Sequence, residues 1–226
     1  MSEFNLLGAP PQITRDVGER IRNKERNRPL ALKFDVEYFD GTRDQGYGGY
    51  AYDGRWVPVA KTVVERYGLK PGDRVLDVGC AKGFLMKDLA DVLPGLEVWG
   101  VDISRYAIEH CHPDVSGRIL RGGCNALPFA DASFQAVLGI NVVHNLEPPG
   151  VVQALREIER VGDSGRAFVQ VDAYRNDDEL EIFEAWMLTA RTYCKPHEWE
   201  SIFREANYTG DYFWTILECD SQTIKT

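Results

Sequence analysis

Residues 74–85 read "RVLDVGCAKGFL", an apolar run that meets a glycine-bearing turn and then resumes at helical spacing. A strand that passes through Gly79 and Gly83 into a helix start brings backbone N–H groups where a ligand can approach closely. Dinucleotide sites need G-x-G-x-x-G, because the second glycine lets a pyrophosphate come near. Here Gly79 is followed by Ala81 and Gly83, so the spacing is G-x-A-x-G. It does not fit the pyrophosphate pattern, and the lack of G-K-[ST] excludes a P-loop.

Working outward, Trp56, Val59, Val63 and Tyr67 recur at helical steps, with Pro58 in the first turn and Gly68 placed to stop the helix. "LKPGDR" then turns into the strand "VLDVG". Downstream, Leu85, Leu89 and Val92 predict a helix, "LEVWGVDIS" a strand, and 104–111 a helix. Strands near "GRILRG" and "FQAVLGIN" precede a helix with Val151, Leu155, Ile158 and Val161 on one face, then the strand "RAFVQVDA". Helices carrying Leu180, Phe183 and Met187, and Trp199, Ile202, Phe203 and Ala206, lead to the aromatic strand "DYFWTILEC". Such alternation predicts an α/β fold: a doubly wound, mostly parallel sheet with helices on both faces. The closing hairpin of some doubly wound folds is not plain.

We expect residues 1–55 to form an N-terminal arm and lid loop and 56–226 the domain proper. Within the arm, 12–28 carries six basic residues and only a thin stripe of Ile13, Val17 and Ile21. That composition predicts a solvated helix or mobile arm, with phosphate binding as the rival. "YFDGTRDQGYGGYAYDGRW" (38–56) is a loop dense in glycine and tyrosine.

At 226 residues the chain suits one α/β domain. A net charge of -9 and a pI near 5.0 repel a phosphate backbone, so no nucleic-acid partner is expected. No run of about 18 apolar residues and no secretory h-region is present, from which we expect a cytoplasmic protein without membrane contact. The five cysteines (Cys80, Cys111, Cys124, Cys194, Cys219) are scattered without a C-x-x-C pair, as expected of reduced thiols. "HCH" at 110–112 lacks further ligands at metal spacing and is expected to be a polar helix end. No metal is expected.

The turn resembles motif I of the class I S-adenosylmethionine-dependent methyltransferases of small-molecule type, in which an acidic residue stands two places before the first glycine. Asp77 is that residue, and a carboxylate with close backbone suits a cofactor end bearing an ammonium and a sulfonium. A carboxylate about 20 residues on should grip the ribose hydroxyls. Asp102 stands there, with capping of the next helix as its alternative role. The resemblance implies that Ile103 packs on the adenine. A third stretch, 122–147, is similar to the family's G-[DN]-A-x-x-L-P-F-x-x-x-S-F-D-x-V pattern through Leu127, Pro128, Phe129, Ser133, Phe134 and Val137. It departs at Gln135 and at Gly123, where an acidic or amide side chain usually contacts the adenine, so that contact passes to backbone near Cys124 or to Asn125. The resemblance implies a cofactor site of Asp77, Gly79, Cys80, Gly83, Asp102, Ile103, Gly123, Cys124, Asn125 and Asn141. It also implies S-adenosylhomocysteine as product.

Methyl transfer from sulfonium is an in-line displacement in which alignment and exclusion of water supply much of the rate. The reacting centre of this fold lies at the carboxyl ends of the central strands. "INVVHNLE" places Asn141, His144 and Asn145 there, with His144 the base candidate by its near-neutral pKa. "VDAYRN" adds Asp172, Tyr174 and Arg175. We expect His144, Asp172 and Tyr174 to be catalytic and Tyr47, Tyr50, Tyr52, Arg55, Asn145 and Arg175 to meet substrate. Structural roles, such as a cap by Asp172, are the alternatives. The expected function is methylation of oxygen or nitrogen on a small polar metabolite such as a sugar, nucleotide-sugar or natural-product intermediate. Arg55 and the basic arm tilt the expectation toward an anionic acceptor. The alternatives are a methyltransferase acting on RNA or protein and a non-catalytic S-adenosylmethionine-binding regulator. Monomer and homodimer are equally compatible.

Overall fold

Strand and helix follow each other along the chain as the apolar spacing predicts, and the computed structural model describes residues 1–8 and 18–217. In chain order they are β1 (Ser2–Glu3), α1 (Gly18–Ala31), α2 (Val36–Asp40), α3 (Val57–Tyr67), β2 (Arg74–Val78), α4 (Phe84–Val92), β3 (Glu97–Asp102) and α5 (Arg105–Glu109). Then come β4 (Ile119–Arg121), β5 (Ala136–Ile140), α6 (Pro148–Val161), β6 (Ala167–Asp172), α7 (Asp177–Trp186), α8 (Pro196–Ala206) and β7 (Asp211–Thr215), with 3-10 turns at Pro113–Val115 and Val143–Asn145.

The strands form one sheet in the order β1-β7-β6-β5-β2-β3-β4, and each described pairing is parallel. Parallel strands need both faces covered. On one face Leu76, Val78, Val137, Val169 and Val171 meet α6 and α8 through Leu155, Ile158, Trp199 and Phe203. On the other, Val75, Ala136, Leu138 and Phe168 meet α3 and α4 through Val59, Val63, Leu85 and Leu89. The chain runs β2, β3, β4 toward one edge and resumes with β5 on the far side of β2. The crevice between β2 and β5 is therefore the topological switch point, where ligands of such sheets bind.

Two expectations change at the N-terminus. First, Ser2–Glu3 pair with β7 and Leu6 is buried beside α3, so the first residues pack onto the domain and do not form part of a free arm. Second, the described part of the basic stretch is a helix, one of the two forms expected, but it packs through polar side chains instead of standing free in solvent. Helix α1 buries Arg20 and Asn27, whose Nδ2 donates to Asp44 Oδ2 at 2.6 Å, and Arg20 lies over the Trp186 ring. Ile13 and Val17 lie outside the described residues, as does Cys219, toward which the last strand was expected to run.

Candidate functional site

The glycine turn is built on alternating left-handed residues: Gly79 (φ 74), Ala81 (φ 51) and Gly83 (φ 73). Glycine adopts this conformation freely, but alanine pays roughly 1–2 kcal/mol. Ala81 is held there by its N–H, which donates to Asp102 Oδ2 at 2.7 Å. A Cβ at Gly79 would stand 2.6 Å from Val142 Cγ2, so the glycine admits the residue that follows β5. The Cys80 thiol turns into the core, where it leaves room only for a glycine at 100. Cys80 therefore offers the site its backbone.

Asp77 and Asp102 close this crevice from below. Asp77 is 4% exposed, and its carboxylate has no hydrogen-bond partner among the described residues. Burial, and then the charge of Asp102, push its pKa up to about 7. Asp102 is also buried, which raises its pKa, while the backbone N–H groups of Ser104, Ala81 and Ile103 oppose the rise. Capping of α5 falls to Ser104, whose side chain accepts from Ala107 N, so Asp102 is left for the loop and the crevice. Next to it Ile103 is 57% exposed between two buried neighbours. Asn125 Oδ1 lies 2.9 Å from where a Cβ at Gly123 would stand, so its amide covers that glycine. Burial pushes the neighbouring Cys124 thiol up to about 11.

Residues 34–50 lie across this crevice. Lys82, buried in the turn, donates to both oxygens of Asp40 (2.8 and 2.7 Å) and to Tyr50 O. The Tyr106 hydroxyl also donates to Asp40, and Ser104 Oγ donates to Phe34 O. Tyr50 stacks on Phe84 at 4.8 Å and packs on Tyr47 at 4.4 Å. Tyr47 keeps 39% of its surface accessible although its hydroxyl is enclosed, with Tyr38, Tyr50 and Asp102 among the groups that raise its pKa. The Tyr38 hydroxyl, bonded to Thr189 and Tyr47, has Arg20 and Asp172 nearby. These rings thus span the strand ends from β3 to β6. Tyr52 points elsewhere, donating to the buried Asp88 of α4 at 2.6 Å.

On the β6 side, His144 and Asp172 come together: His144 Nε2 lies 3.4 Å from Asp172 Oδ2. Asn141, left-handed at φ 55, accepts from Thr215 Oγ1, and Asn145 Nδ2 donates to Asn141 O. The remaining residues singled out in the sequence lie elsewhere. Tyr174 is raised in pKa by burial and then by Glu198, Cys194, Asp177 and Glu184, groups along and just before α7 and α8. Arg55 is paired with Asp53 at 2.6 Å and Arg175 with Glu179, both at exposed positions. Their charges are matched within two to four residues of the chain, which weakens any pull on an anion. Sequence reasoning missed Arg20, Tyr38 and Lys82, because nothing in local spacing connects them with strand ends far along the chain.

The "HCH" tract ends α5 as expected: the His110 ring stacks on Tyr106 and His112 accepts from Asp114 N. Among the described residues no group of three or more His, Cys, Asp or Glu could hold a metal ion.

Residues 75–165 match the family model described as a methyltransferase domain. The chain is 36% identical over 118 residues to a demethylmenaquinone methyltransferase of Renibacterium salmoninarum, covering 51% of this chain and 46% of that protein. It is 28% identical over 185 residues to the 2-methyl-6-phytyl-1,4-hydroquinone methyltransferase of a Synechocystis species, covering 73% of this chain and 57% of the relative. The chain spans about a third to a half of the length of the first curated relatives it matches. Among solved structures, the [4+2]-cyclase SpnF shares the fold with a TM-score of 0.56 at 19% identity, covering 83% of this chain and 72% of that one.

Proposed function

We propose, from the match of residues 75–165 to a methyltransferase-domain model, that this protein is an S-adenosylmethionine-dependent methyltransferase acting on a small molecule. Asp77 carries the proposal. A carboxylate buried at the switch point with no partner among the described residues calls for a cation. The ammonium of an amino-acid moiety is such a cation, so the residues present fit the cofactor.

When bound, S-adenosylmethionine supplies a methyl group activated by a positively charged sulfur. Asp77 would hold the ammonium, and the backbone from Gly79 to Gly83 would border the methionine end. Asp102 would take the ribose hydroxyls, since Oδ2 accepts from Ala81 N and Oδ1 from Ser104 N, and a carboxylate has about four acceptor sites in all. Ile103 offers an apolar surface for the adenine, while Asn125 and the Cys124 backbone offer polar contacts at its edge. Asn141 stands at the strand end between the two halves of the site. Tyr38, Tyr47 and Tyr50 would exclude water and present ring faces to the sulfonium.

On the acceptor side, the pairing of Arg55 and Arg175 with neighbouring acids favours a neutral acceptor over an anionic one. Two relatives are named for demethylmenaquinone and for a phytyl hydroquinone. A ring bearing a hydroxyl suits the tyrosine-lined space here, with His144 and Asp172 beside it to handle the proton. Incubation with methyl-labelled S-adenosylmethionine and parallel panels of hydroxylated aromatics and sugar phosphates tests this. Label transfer to the aromatic panel with release of S-adenosylhomocysteine is expected. Transfer to the sugar phosphates alone would overturn the acceptor class. Binding without transfer to any acceptor would favour a regulator, or chemistry of another kind on this fold.

A further inference from the structure

The 3-10 turn after β5 sets the His144 ring edge-on to Asp172. Its Nδ1 accepts the backbone N–H of Asp172 at 3.0 Å, while Nε2 faces the Asp172 carboxylate at 3.4 Å. A ring nitrogen that accepts an N–H carries no proton, so the neutral imidazole holds its proton on Nε2. The backbone that carries the pair is fixed on both sides: His144 O accepts from Arg191 N and Thr192 N, and Asp172 O accepts from Trp199 Nε1 at 2.8 Å. A general base needs a basic nitrogen open to the acceptor. In His144 the only basic nitrogen is taken up by backbone.

We propose that His144 is a positioning residue and that Asp172 is the catalytic group of this site. His144 holds Asp172 through the Nδ1 bond from its backbone N–H, with Nε2 3.4 Å from the Asp172 carboxylate, whose side chain is 12% exposed against 5% for His144. This rests on the methyltransferase reading and deepens it, because a carboxylate base suits a hydroxyl acceptor, whose proton must leave as the oxygen attacks, more than a neutral amine, which attacks through its own lone pair. As the acceptor oxygen bonds to the methyl carbon, the C–S electron pair stays with sulfur and the acceptor's O–H proton passes to Asp172. Charge and atoms balance, and no further reactant is needed. The groups facing the pair are Tyr38 of α2, with Arg20 of α1 near it, and the segment after α7, where Arg191 pairs with the exposed Glu147. Burial lowers the pKa of His144 and the charge of Asp172 opposes it.

The chain holds four histidines, so nitrogen-15 spectra of the labelled full-length protein can be assigned by replacing His110, His112 and His197 one at a time. His144 is expected to be the neutral Nε2–H form at about pH 7 and above and to titrate below its ordinary value of about 6.5. A proton on Nδ1, or titration near that value, would overturn the proposal. With an accepted hydroxylated aromatic, His144→Gln, which can still accept and donate, should keep turnover within about tenfold. Asp172→Asn should lower it by roughly a hundredfold or more with S-adenosylhomocysteine affinity unchanged. Equal losses in both variants, with the acid limb of the pH profile abolished by His144→Gln, would make His144 the base instead. Titrating the same sample with S-adenosylhomocysteine separates the two claims. No binding would sink the methyltransferase reading whatever the tautomer, whereas binding with His144 titrating near its ordinary value would sink only this proposal.

Discussion

Asp77 costs the fold stability when it is ionised. Its pKa stands at about 7 in the folded protein, well above the ordinary carboxylate value of 3.8, because burial and the charge of Asp102 disfavour ionisation. A folded pKa raised in this way gives stability that is full below about pH 4 and is lost as pH rises through 7. Ionised Asp77 then costs on the order of a few kcal/mol. Asp77→Asn should therefore raise the melting temperature at pH 8 and change it little at pH 4, as thermal denaturation at both pH values would show. The same substitution should abolish or severely weaken S-adenosylhomocysteine binding. In the parent protein that ligand must displace a proton below pH 7, so its Kd should rise by about tenfold per pH unit there. A flat Kd between pH 5 and 8 would contradict the pairing of Asp77 with the ligand's ammonium. Asp77 and Asp102 were legible in the sequence because each sits at a fixed distance from a strand end and a glycine. Arg20 and Tyr38 were not, because the fold alone brings α1 and α2 over strands that begin more than thirty residues later.

At the scale of elements, the segment from Phe34 to Tyr50 is keyed to the glycine turn through Lys82 and Asp40. Lys82 is nearly buried while Asp40 is about a third exposed, with side-chain exposures of 9% and 32%. Removing the acid would leave a buried ammonium without its counter-charge, at a cost of about 1–3 kcal/mol given that exposure. Asp40→Asn should thus loosen 36–50 locally. Hydrogen exchange should show faster exchange of those amides with β2, β5 and β6 still protected, and S-adenosylhomocysteine affinity should fall severalfold. Unchanged exchange would mean that the ring packing of Phe39, Tyr50 and Phe84 alone holds the segment. The strands and helices around "RVLDVGCAKGFL" follow the sequence closely, since period-2 and period-3.6 burial are what the sheet and its covering helices require. The packing of helix α1 escaped the same reading. It is fixed by Asn27, Asn23 and Arg20 bonding to Asp44 and Gly46 O, and a count of apolar residues is blind to polar burial.

For the whole molecule, the parallel sheet decides where chemistry can occur, and its edge explains the first residues. Strand β1 covers β7, Leu6 is buried, and Ser2 shares the Asp211 carboxylate with Arg66 and Tyr67. Two residues, "SE", carry no strand pattern, so this edge could not be read from sequence. Deletion of residues 1–7 should uncover β7 and lower the melting temperature by roughly 5–10 °C. An unchanged melting temperature would show that β1 adds nothing to the sheet. No helix among the described residues is long and apolar enough to cross a membrane.

The central claim is that the turn from Gly79 to Gly83, with Asp77 and Asp102 beneath it, is shaped for S-adenosylmethionine. Calorimetric titration of the purified protein with S-adenosylmethionine, S-adenosylhomocysteine and NAD side by side tests it most directly. Micromolar or tighter binding of the first two and none of NAD is the predicted result. Binding of NAD, or of none of the three, would contradict the account.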